Sequence, residues 1–311
     1  MTAPYGDPVR VRVPATSANL GPAFDCAGLA LDRHDVLEFS TAADGLKIAI
    51  TGEGADTLPA GESHLVVRAF RAACAQLGWT PSGLRVVAHN AIPQGRGLGS
   101  SAAAVVAGVL GAWALCPDVD SIDKDAVLRL TSELEGHPDN VAPCLLGGAT
   151  LSWMTAEGAG ATRIAVDPAI APVLFVPGDT LATHVARGLL PDVVPHADAA
   201  HNAARAALLV HALGTDPALL FEATDDRLHQ RQRAAAMPET IDLVDRLRAD
   251  GHAAVVSGAG PSVLVLAVSP DTDAPDSALR RFTPPGWSML GLGVDTAGAQ
   301  VLAGTPGVSS S

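Results

Sequence analysis

The sequence Pro93-Gln-Gly-Arg-Gly-Leu-Gly-Ser-Ser-Ala-Ala103 places three glycines and two serines at the start of an apolar segment of helix-forming residues, Ser100–Leu115. Glycines let a backbone approach a phosphate without a Cβ clash. A helix N-terminus adds unpaired N–H donors and the positive end of the helix dipole. The stretch therefore predicts a loop that holds the phosphates of a nucleotide. The structural alternative is an ordinary glycine loop in which Ser100 caps the helix.

Three common nucleotide motifs do not describe this loop. A Walker A motif needs Gly-Lys-Ser/Thr, and neither Lys47 nor Lys124 follows a glycine. The His-Arg-Asp and Asp-Phe-Gly motifs of protein kinases are absent from the sequence. A Rossmann fingerprint fits Gly95–Ser100 poorly, because the third glycine is displaced and the loop lies too late in the chain. The loop therefore indicates another class of phosphate-binding protein.

Size, charge and cysteine content restrict the possible functions. The chain has 311 residues, 48% hydrophobic and 17% charged, which predicts two folded domains or one large one. A net charge of −13 without a basic cluster argues against a nucleic-acid partner. The apolar run Ala102–Leu115 is too short to span a bilayer, and Met1–Val13 has no apolar signal region, so we expect a cytoplasmic protein without membrane segments. The four cysteines form no CxxC pair, which excludes a zinc ribbon.

Hydrophobic periodicity predicts mixed strands and helices along the whole chain. Strands are expected at Val9–Val13, Leu46–Ile50, Leu84–Val87, Ala149–Met154, Ala161–Val166, Val173–Val176, Ala253–Val256 and Val263–Val268. Helices are expected at His64–Leu77, Ser100–Leu115, Lys124–Glu135, His201–Leu213 and Ile241–Arg248. Pro14–Gly21 is expected to be an irregular polar loop. The pattern restarts after Pro168, which predicts domains at residues 1–168 and 169–311.

Three glycine-containing motifs follow one another along the chain. Pro14-Ala-Thr-Ser-Ala-Asn-Leu-Gly21 with Phe24-Asp25 comes first, Ile92–Ala103 second, and Ser257-Gly-Ala-Gly-Pro-Ser262 third. In composition and order they resemble the three motifs of the GHMP kinases. The resemblance extends from about Val9 to Leu302. Further motifs resemble the homoserine kinase branch of that superfamily: His137-Pro-Asp-Asn-Val-Ala-Pro143, Thr183-x-x-x-Arg187 before Leu190-Pro191, and Asp226-Arg-Leu-His-Gln230.

The resemblance implies a two-domain α+β GHMP kinase fold. In that fold the N-terminal domain binds ATP and contains a left-handed βαβ crossover, and the C-terminal domain is a ferredoxin-like α/β sandwich. The implied reaction is the ATP-dependent phosphorylation of the L-homoserine hydroxyl in threonine biosynthesis, with Mg²⁺ as the metal and a homodimer as the assembly. Pattern alone supports only a mixed α and β protein.

The resemblance also implies roles for individual residues. ATP is expected to contact Pro93, Gly95, Arg96, Gly97, Leu98, Gly99, Ser100, Ser101, Ala102, Ala103 and His64. Substrate is expected to contact Asn19, Asp25, His137, Asn140, Arg187 and Arg233. Mg²⁺ is expected at Ser101 and Glu133, with Glu135 as the alternative carboxylate, and Thr183, Asn140 and Arg187 are the expected catalytic residues. No catalytic base is assigned.

Two alternatives remain open at this stage. One is a GHMP kinase for another small alcohol such as mevalonate or shikimate, although these lack the ammonium that would give Asp25 a purpose. The other is a regulatory protein that kept the nucleotide site and lost turnover. His64 also departs from the family, which commonly has an asparagine near the adenine at this position.

Overall fold

The computed structural model describes residues 7–269 and 276–303. Its strands are β1 (Val9–Ala18), β2 (Ala27–Ala42), β3 (Gly45–Gly52), β4 (Gly83–Asn90), β5 (Ala149–Thr155), β6 (Gly158–Ile164), β7 (Ile170–Val176), β8 (Ala254–Val256), β9 (Val263–Val268), β10 (Ser288–Gly291) and β11 (Gln300–Ala303). Its α-helices are α1 (Leu65–Gln76), α2 (Ser100–Leu115), α3 (Lys124–Glu135), α4 (Val141–Leu146), α5 (Thr183–Arg187), α6 (His196–Gly214), α7 (Leu220–Ala223), α8 (Pro238–Ala249) and α9 (Asp276–Leu279). The bounds predicted for α2, α3 and β9 are confirmed.

The first sheet is mixed and has seven strands. Its main order is β11-β1-β2-β4-β3, with β5 paired to β2 and β6 paired to β5. Strands β3 and β4 are parallel and are joined through α1, which forms the βαβ unit expected from the resemblance. The other strand pairs of this sheet are antiparallel.

Strand β1 is longer than predicted, and the prediction of an irregular loop at Pro14–Gly21 is wrong for its first five residues. Pro14 to Ala18 continue the pairing with β2, and the register shifts between Pro14 and Ala15. Polar side chains such as Thr16 and Ser17 suggested a loop, but both are fully buried in the structure. The strand therefore carries the polar motif into the interior, next to the glycine-rich loop.

Helix α2 is central to the first domain, and most of its residues are buried. Two glycines allow its neighbours to approach closely. A methyl group at Gly108 would lie 2.4 Å from the carbonyl oxygen of Val66 on α1, and one at Gly111 would lie 2.8 Å from the ring of Phe39 on β2. This close packing fixes the position of the N-terminus of α2 and hence of the loop that precedes it.

The second sheet is antiparallel with the order β10-β7-β9-β8. Renumbered within this sheet, the order is 4-1-3-2, with helices following the first and third strands, as in a ferredoxin-like sandwich. Met237, Ile241, Val244 and Leu247, at and along α8, belong to a separate core that covers one face of the sheet. The α+β architecture expected from the resemblance is thus present.

The domain division at residue 168 separates the two sheets but needs one correction. Strand β11 pairs with β1 in the first sheet, so Gln300–Ala303 does not belong to the second domain as predicted. These residues lie at the edge of the first sheet, about 135 residues after its other strands. Among the described helices, none combines the length and apolar composition needed to cross a membrane.

Candidate active site

The glycine-rich loop before α2 adopts a conformation that requires its glycines. Gly95, Gly97 and Gly99 have φ of 64°, 72° and 68°. A methyl group at Gly97 would lie 2.2 Å from the carbonyl oxygen of Ser257, and one at Gly99 would lie 1.9 Å from the hydroxyl of Thr16. The Ser257 hydroxyl also donates to the Gly97 carbonyl at 2.6 Å. Side chains are therefore excluded by conformation and by space.

The N-terminus of α2 is free to bind an anion. The N-cap residue is Gly99, in the left-handed region, so the alternative in which Ser100 caps the helix is wrong. No side chain caps the first turn, and the 16-residue helix has no acidic residue there. Its unpaired N–H donors and the positive end of its dipole therefore face the cavity beside the loop.

One cavity brings together most of the residues predicted for the two substrates. From the loop it is lined by Gly95, Gly97, Leu98, Gly99, Ser100 and Ser101. Opposite these lie Asn19, His137, Asn140, Thr183, Arg187 and Arg233. Both domains contribute to the cavity, and the backbone bond from Gly258 N–H to the Ala18 carbonyl (3.2 Å) joins them beside it.

Ser101 and Glu135 form a pair of oxygen groups at the edge of this cavity. The Ser101 hydroxyl donates to the Glu135 carboxylate at 2.8 Å. Burial raises the pKa of Glu135 above its ordinary value, although the bond from Ser101 opposes this shift. A partly buried carboxylate beside a hydroxyl and the glycine-rich loop fits the oxygen ligands that Mg²⁺ prefers.

Glu133, which was predicted to complete the metal site, does not lie beside Ser101. Glu133 lines a different surface depression, with Arg129 and Met154. Glu135 is the last residue of α3, and Gly136 in the left-handed region ends the helix. Positions two residues apart in a helix, such as 133 and 135, point in directions about 200° apart around its axis. Only one of the two carboxylates can therefore face Ser101.

Asp25 and Arg187 form a bidentate ion pair beside the cavity, with N–O distances of 2.6 and 3.0 Å. Asp25, Asn19 and Leu20 all have positive φ, which is strained for residues with a Cβ. The Asn19 side chain stabilises this turn, because its oxygen accepts from the Asp25 N–H at 2.9 Å and its amide donates to the Gly258 carbonyl at 2.9 Å. The turn thus presents a carboxylate at a fixed position.

Arg233 is a buried cation with incomplete partners. It is 1% exposed, and its Nε has no hydrogen-bond partner. Its Nη1 lies 3.3 Å from both the Gly258 carbonyl and the Nδ1 of His229. Burial lowers its pKa, as does the nearby charge of Arg187. Among the described residues no carboxylate lies within ion-pair distance of it, so the site as it stands favours an anionic ligand.

His137, Asp139 and Asn140 form a short network on the third side of the cavity. His137 Nδ1 lies 2.5 Å from the Asp139 carboxylate. Burial alone would lower the pKa of His137, but the bond and the charge of Asp139 outweigh it and raise that pKa. Thr16 donates to the side-chain oxygen of Asn140 at 2.8 Å. Asp139 is thus already engaged and orients His137.

Comparison with known proteins agrees with this geometry. The chain matches the GHMP kinases N terminal domain over residues 64–148 and the GHMP kinases C terminal domain over residues 204–284. It is 55% identical to homoserine kinase of Streptomyces avermitilis, with 94% of this chain and 95% of that one covered. It is 50% identical to homoserine kinase of Clavibacter michiganensis, with 95% and 94% covered. The chain belongs to the homoserine kinase family of GHMP kinases.

A solved homoserine kinase shares the overall fold. The crystal structure of homoserine kinase from Cytophaga hutchinsonii superposes with a TM-score of 0.82 at 26% identity, covering 96% of this chain and 98% of that one. The two-domain arrangement is therefore that of homoserine kinases.

Some residues predicted from the homoserine kinase resemblance lie outside the main cavity. Pro93, Ala102 and Ala103 are buried and support the loop. Arg96 donates to the Gly178 carbonyl at 2.7 Å. His64 caps α1 through Nδ1 and lines a second cavity that shares Ser100 and Ser101 with the first. Its position beside the loop is compatible with the predicted contact to the base.

Other residues of this homoserine kinase site were missed from the sequence. Two of them contact the loop: Thr16 through its backbone N–H to the Leu98 carbonyl, and Ser257 through its hydroxyl to the Gly97 carbonyl. Phe24 packs against both arginines of the cavity, and His229 contacts Arg233. All four lie in the quoted family motifs, which was the only signal available. The motifs marked the right segments but did not show which side chains contact one another.

Proposed function

We propose that this chain transfers the γ-phosphoryl group of ATP to the side-chain hydroxyl of L-homoserine, giving ADP and O-phospho-L-homoserine for threonine synthesis. The two relatives compared above are both named homoserine kinase. The observation that carries the proposal is the buried Arg233, which has no carboxylate partner in the described part of the chain. It lies next to the Asp25–Arg187 pair and across from the glycine-rich loop. An amino-acid zwitterion and a triphosphate are the ligands with matching charges.

The zwitterion can bind against the Asp25–Arg187 pair without leaving either charge unpaired. The substrate ammonium pairs with Asp25. The substrate carboxylate pairs with Arg187 and Arg233 in the bidentate manner that guanidinium groups favour. The pair is about one-third exposed on each side, so parting it costs on the order of 1 kcal/mol or less. Asn19, His137 and Asn140 are proposed to contact the rest of the amino acid.

The loop and the N-terminus of α2 are proposed to hold the triphosphate. Ser101 and Glu135 would hold Mg²⁺, which neutralises charge on the phosphates when it is bound. Thr183 lines the same cavity and is proposed to contact the γ-phosphate or the substrate hydroxyl. Phosphoryl transfer needs alignment and charge neutralisation above all, so these residues act by positioning the two substrates in line.

ADP release by the purified protein tests the proposal. The assay contains Mg²⁺ and ATP with L-homoserine, and parallel reactions contain mevalonate, shikimate, L-serine or no acceptor. We expect release with L-homoserine well above every other reaction. Equal release with mevalonate or shikimate would overturn the substrate assignment, and none with any acceptor would favour the regulatory alternative. The homodimer and the cytoplasmic location remain predictions.

A further inference from the structure

The motif Asp226-Arg-Leu-His-Gln230 contains a histidine to which the proposed mechanism gives no role. His229 is 0% exposed and lies behind the cavity, where it does not line the wall. Both of its ring nitrogens are nevertheless engaged. Nε2 lies 2.7 Å from the Gly21 carbonyl oxygen, and Nδ1 lies 3.3 Å from Nη1 of Arg233.

These two contacts determine where the imidazole proton resides. A carbonyl oxygen only accepts hydrogen bonds, so Nε2 must carry the proton that is donated to Gly21. A guanidinium group only donates, so Nδ1 must be unprotonated in order to accept from Arg233. Only the neutral Nε2–H tautomer satisfies both contacts. Burial lowers the pKa of His229, which keeps the ring neutral near pH 7.

The surroundings hold this ring in place. The Phe24 ring lies 5.0 Å from the imidazole and 5.5 Å from the Arg233 Cζ, so it packs against both groups. The carboxylate of Asp226 lies 3.8 Å from Nε2 and itself accepts from the backbone N–H groups of residues 228–230 and from Asn202. The segment that carries His229 is therefore fixed to the body of the protein.

We propose that His229 is a positioning residue, which orients the Arg233 guanidinium toward the substrate carboxylate by accepting a hydrogen bond at its unprotonated Nδ1. This inference rests on the proposed function, because it takes Arg233 as a carboxylate ligand. A buried arginine has several rotamers of similar energy unless its donors are held. His229 and the Gly258 carbonyl hold Nη1, which leaves Nη2 as the terminal donor for the substrate.

Two conservative substitutions separate this role from a purely structural one. In His229→Asn the side-chain oxygen can replace Nδ1 as the acceptor for Arg233, but the bond to Gly21 is lost. In His229→Gln the amide can reach the Gly21 carbonyl in place of Nε2, but the acceptor for Arg233 is lost. We expect His229→Asn to keep a KM for L-homoserine close to that of the wild type, and His229→Gln to raise it roughly tenfold, since hydrogen bonds to charged groups are worth that much.

The KM for ATP and the thermal unfolding midpoint are measured alongside for each variant. We expect the KM for ATP to stay unchanged in both. An equal KM for L-homoserine in the two variants, or a folded His229→Gln whose KM for L-homoserine equals that of the wild type, would overturn the inference. These outcomes are distinct from failure of the proposed function, which would show as a wild-type protein inactive with L-homoserine.

A double-mutant cycle adds a second test. If His229 acts through Arg233, His229→Gln should raise the KM for L-homoserine little further once Arg233→Lys has removed the fork-shaped donor. Additive effects would contradict this.

The tautomer can be read in the wild-type protein even if no histidine variant folds. In ¹⁵N-histidine NMR spectra we expect His229 as the Nε2–H tautomer, with an Nδ1 shift that changes in Arg233→Lys. A protonated ring or an Nδ1–H tautomer at pH 7 would overturn the inference.

Discussion

Ser101 donates its hydroxyl proton to the carboxylate of Glu135 at 2.8 Å, and this bond joins the first turn of α2 to the last residue of α3. The helix that follows the glycine-rich loop, proposed to hold the phosphates, and the helix proposed to supply the metal-binding carboxylate therefore meet at one point. Hydroxyl and carboxylate oxygens at a phosphate site are the ligands with which proteins hold Mg²⁺.

Glu135→Gln should weaken the Mg²⁺ binding on which activity depends. We expect the Mg²⁺ concentration for half-maximal activity to rise at least about tenfold, because even outer-shell partners of a metal contribute 10- to 100-fold to its affinity. Glu133→Gln is the matched control, since Glu133 faces a different depression, and it should behave like the wild type. A Mg²⁺ titration of activity decides between them, and a larger effect at Glu133 would restore the sequence-based assignment.

The sequence alone does not decide which of these two glutamates lies beside Ser101. The helix Lys124–Glu135 was predicted with its observed bounds. A metal-binding carboxylate near its end remains a prediction. The face of the helix that meets α2 depends on tertiary packing, however. The local sequence does not indicate which of the two residues faces Ser101, because both are glutamates in the last turn of the helix.

Gly97→Ala should disable the phosphate loop. The new methyl group would lie 2.2 Å from the Ser257 carbonyl and would also demand a positive φ. Gly45→Ala is the matched control, because Gly45 has φ of 68° but nothing within 4 Å of the added methyl. We expect Gly45→Ala to lose about 1–2 kcal/mol of stability with unchanged kcat/KM. Gly97→Ala should in addition lower kcat/KM for ATP about 100-fold through misplacement of the loop, and equal kinetics in the two variants would contradict this account.

Asp35 should make the protein less stable as the pH rises. Burial raises its pKa to about 6, although Ala91 and Ile92 donate to it at 2.6 and 2.9 Å. A raised pKa means that the folded state binds more protons than the unfolded state, so stability falls as the pH increases from about 4 to about 6. The loss from this group is on the order of 2–3 kcal/mol. Urea unfolding of wild type and Asp35→Asn over this range should show the variant gaining relative to the wild type, and parallel curves would refute the assignment.

Asp295 should have the opposite dependence. Burial alone would raise its pKa, but bonds from His34, Gly298 and Ala297 outweigh burial and lower it. The stabilisation it provides is therefore complete above its unfolded-state pKa of about 3.9 and is lost as the pH falls further. The stability difference between wild type and Asp295→Asn, about 1–3 kcal/mol near pH 5.5, should shrink below about pH 4. A difference that grows on acidification would contradict this sign.

The remaining differences from the sequence-based picture arise from long-range pairing. Residues 14–18 were read as a loop because of their polar side chains, yet pairing with β2 makes them a buried strand. Strand β2 itself mixes charged and apolar residues and gave no clear alternation. Gln300–Ala303 is too short to be assigned to a sheet without knowledge of β1. Segments with strong local signals, such as α2 after its glycines, were predicted correctly.

The measurement that tests the central claim most directly compares L-homoserine with two truncated acceptors, 3-amino-1-propanol, which lacks the carboxylate, and 4-hydroxybutyrate, which lacks the ammonium. We predict that kcat/KM falls at least about 100-fold for each in the wild type. In Arg187→Ala, kcat/KM should fall for L-homoserine and change little for 3-amino-1-propanol. Arg231→Ala is the control, because Arg231 is on the surface and pairs with Asp245. If Arg187→Ala lowers kcat/KM equally for both acceptors, or if the wild type uses all three alike, the cavity does not recognise an amino-acid zwitterion and the account is wrong.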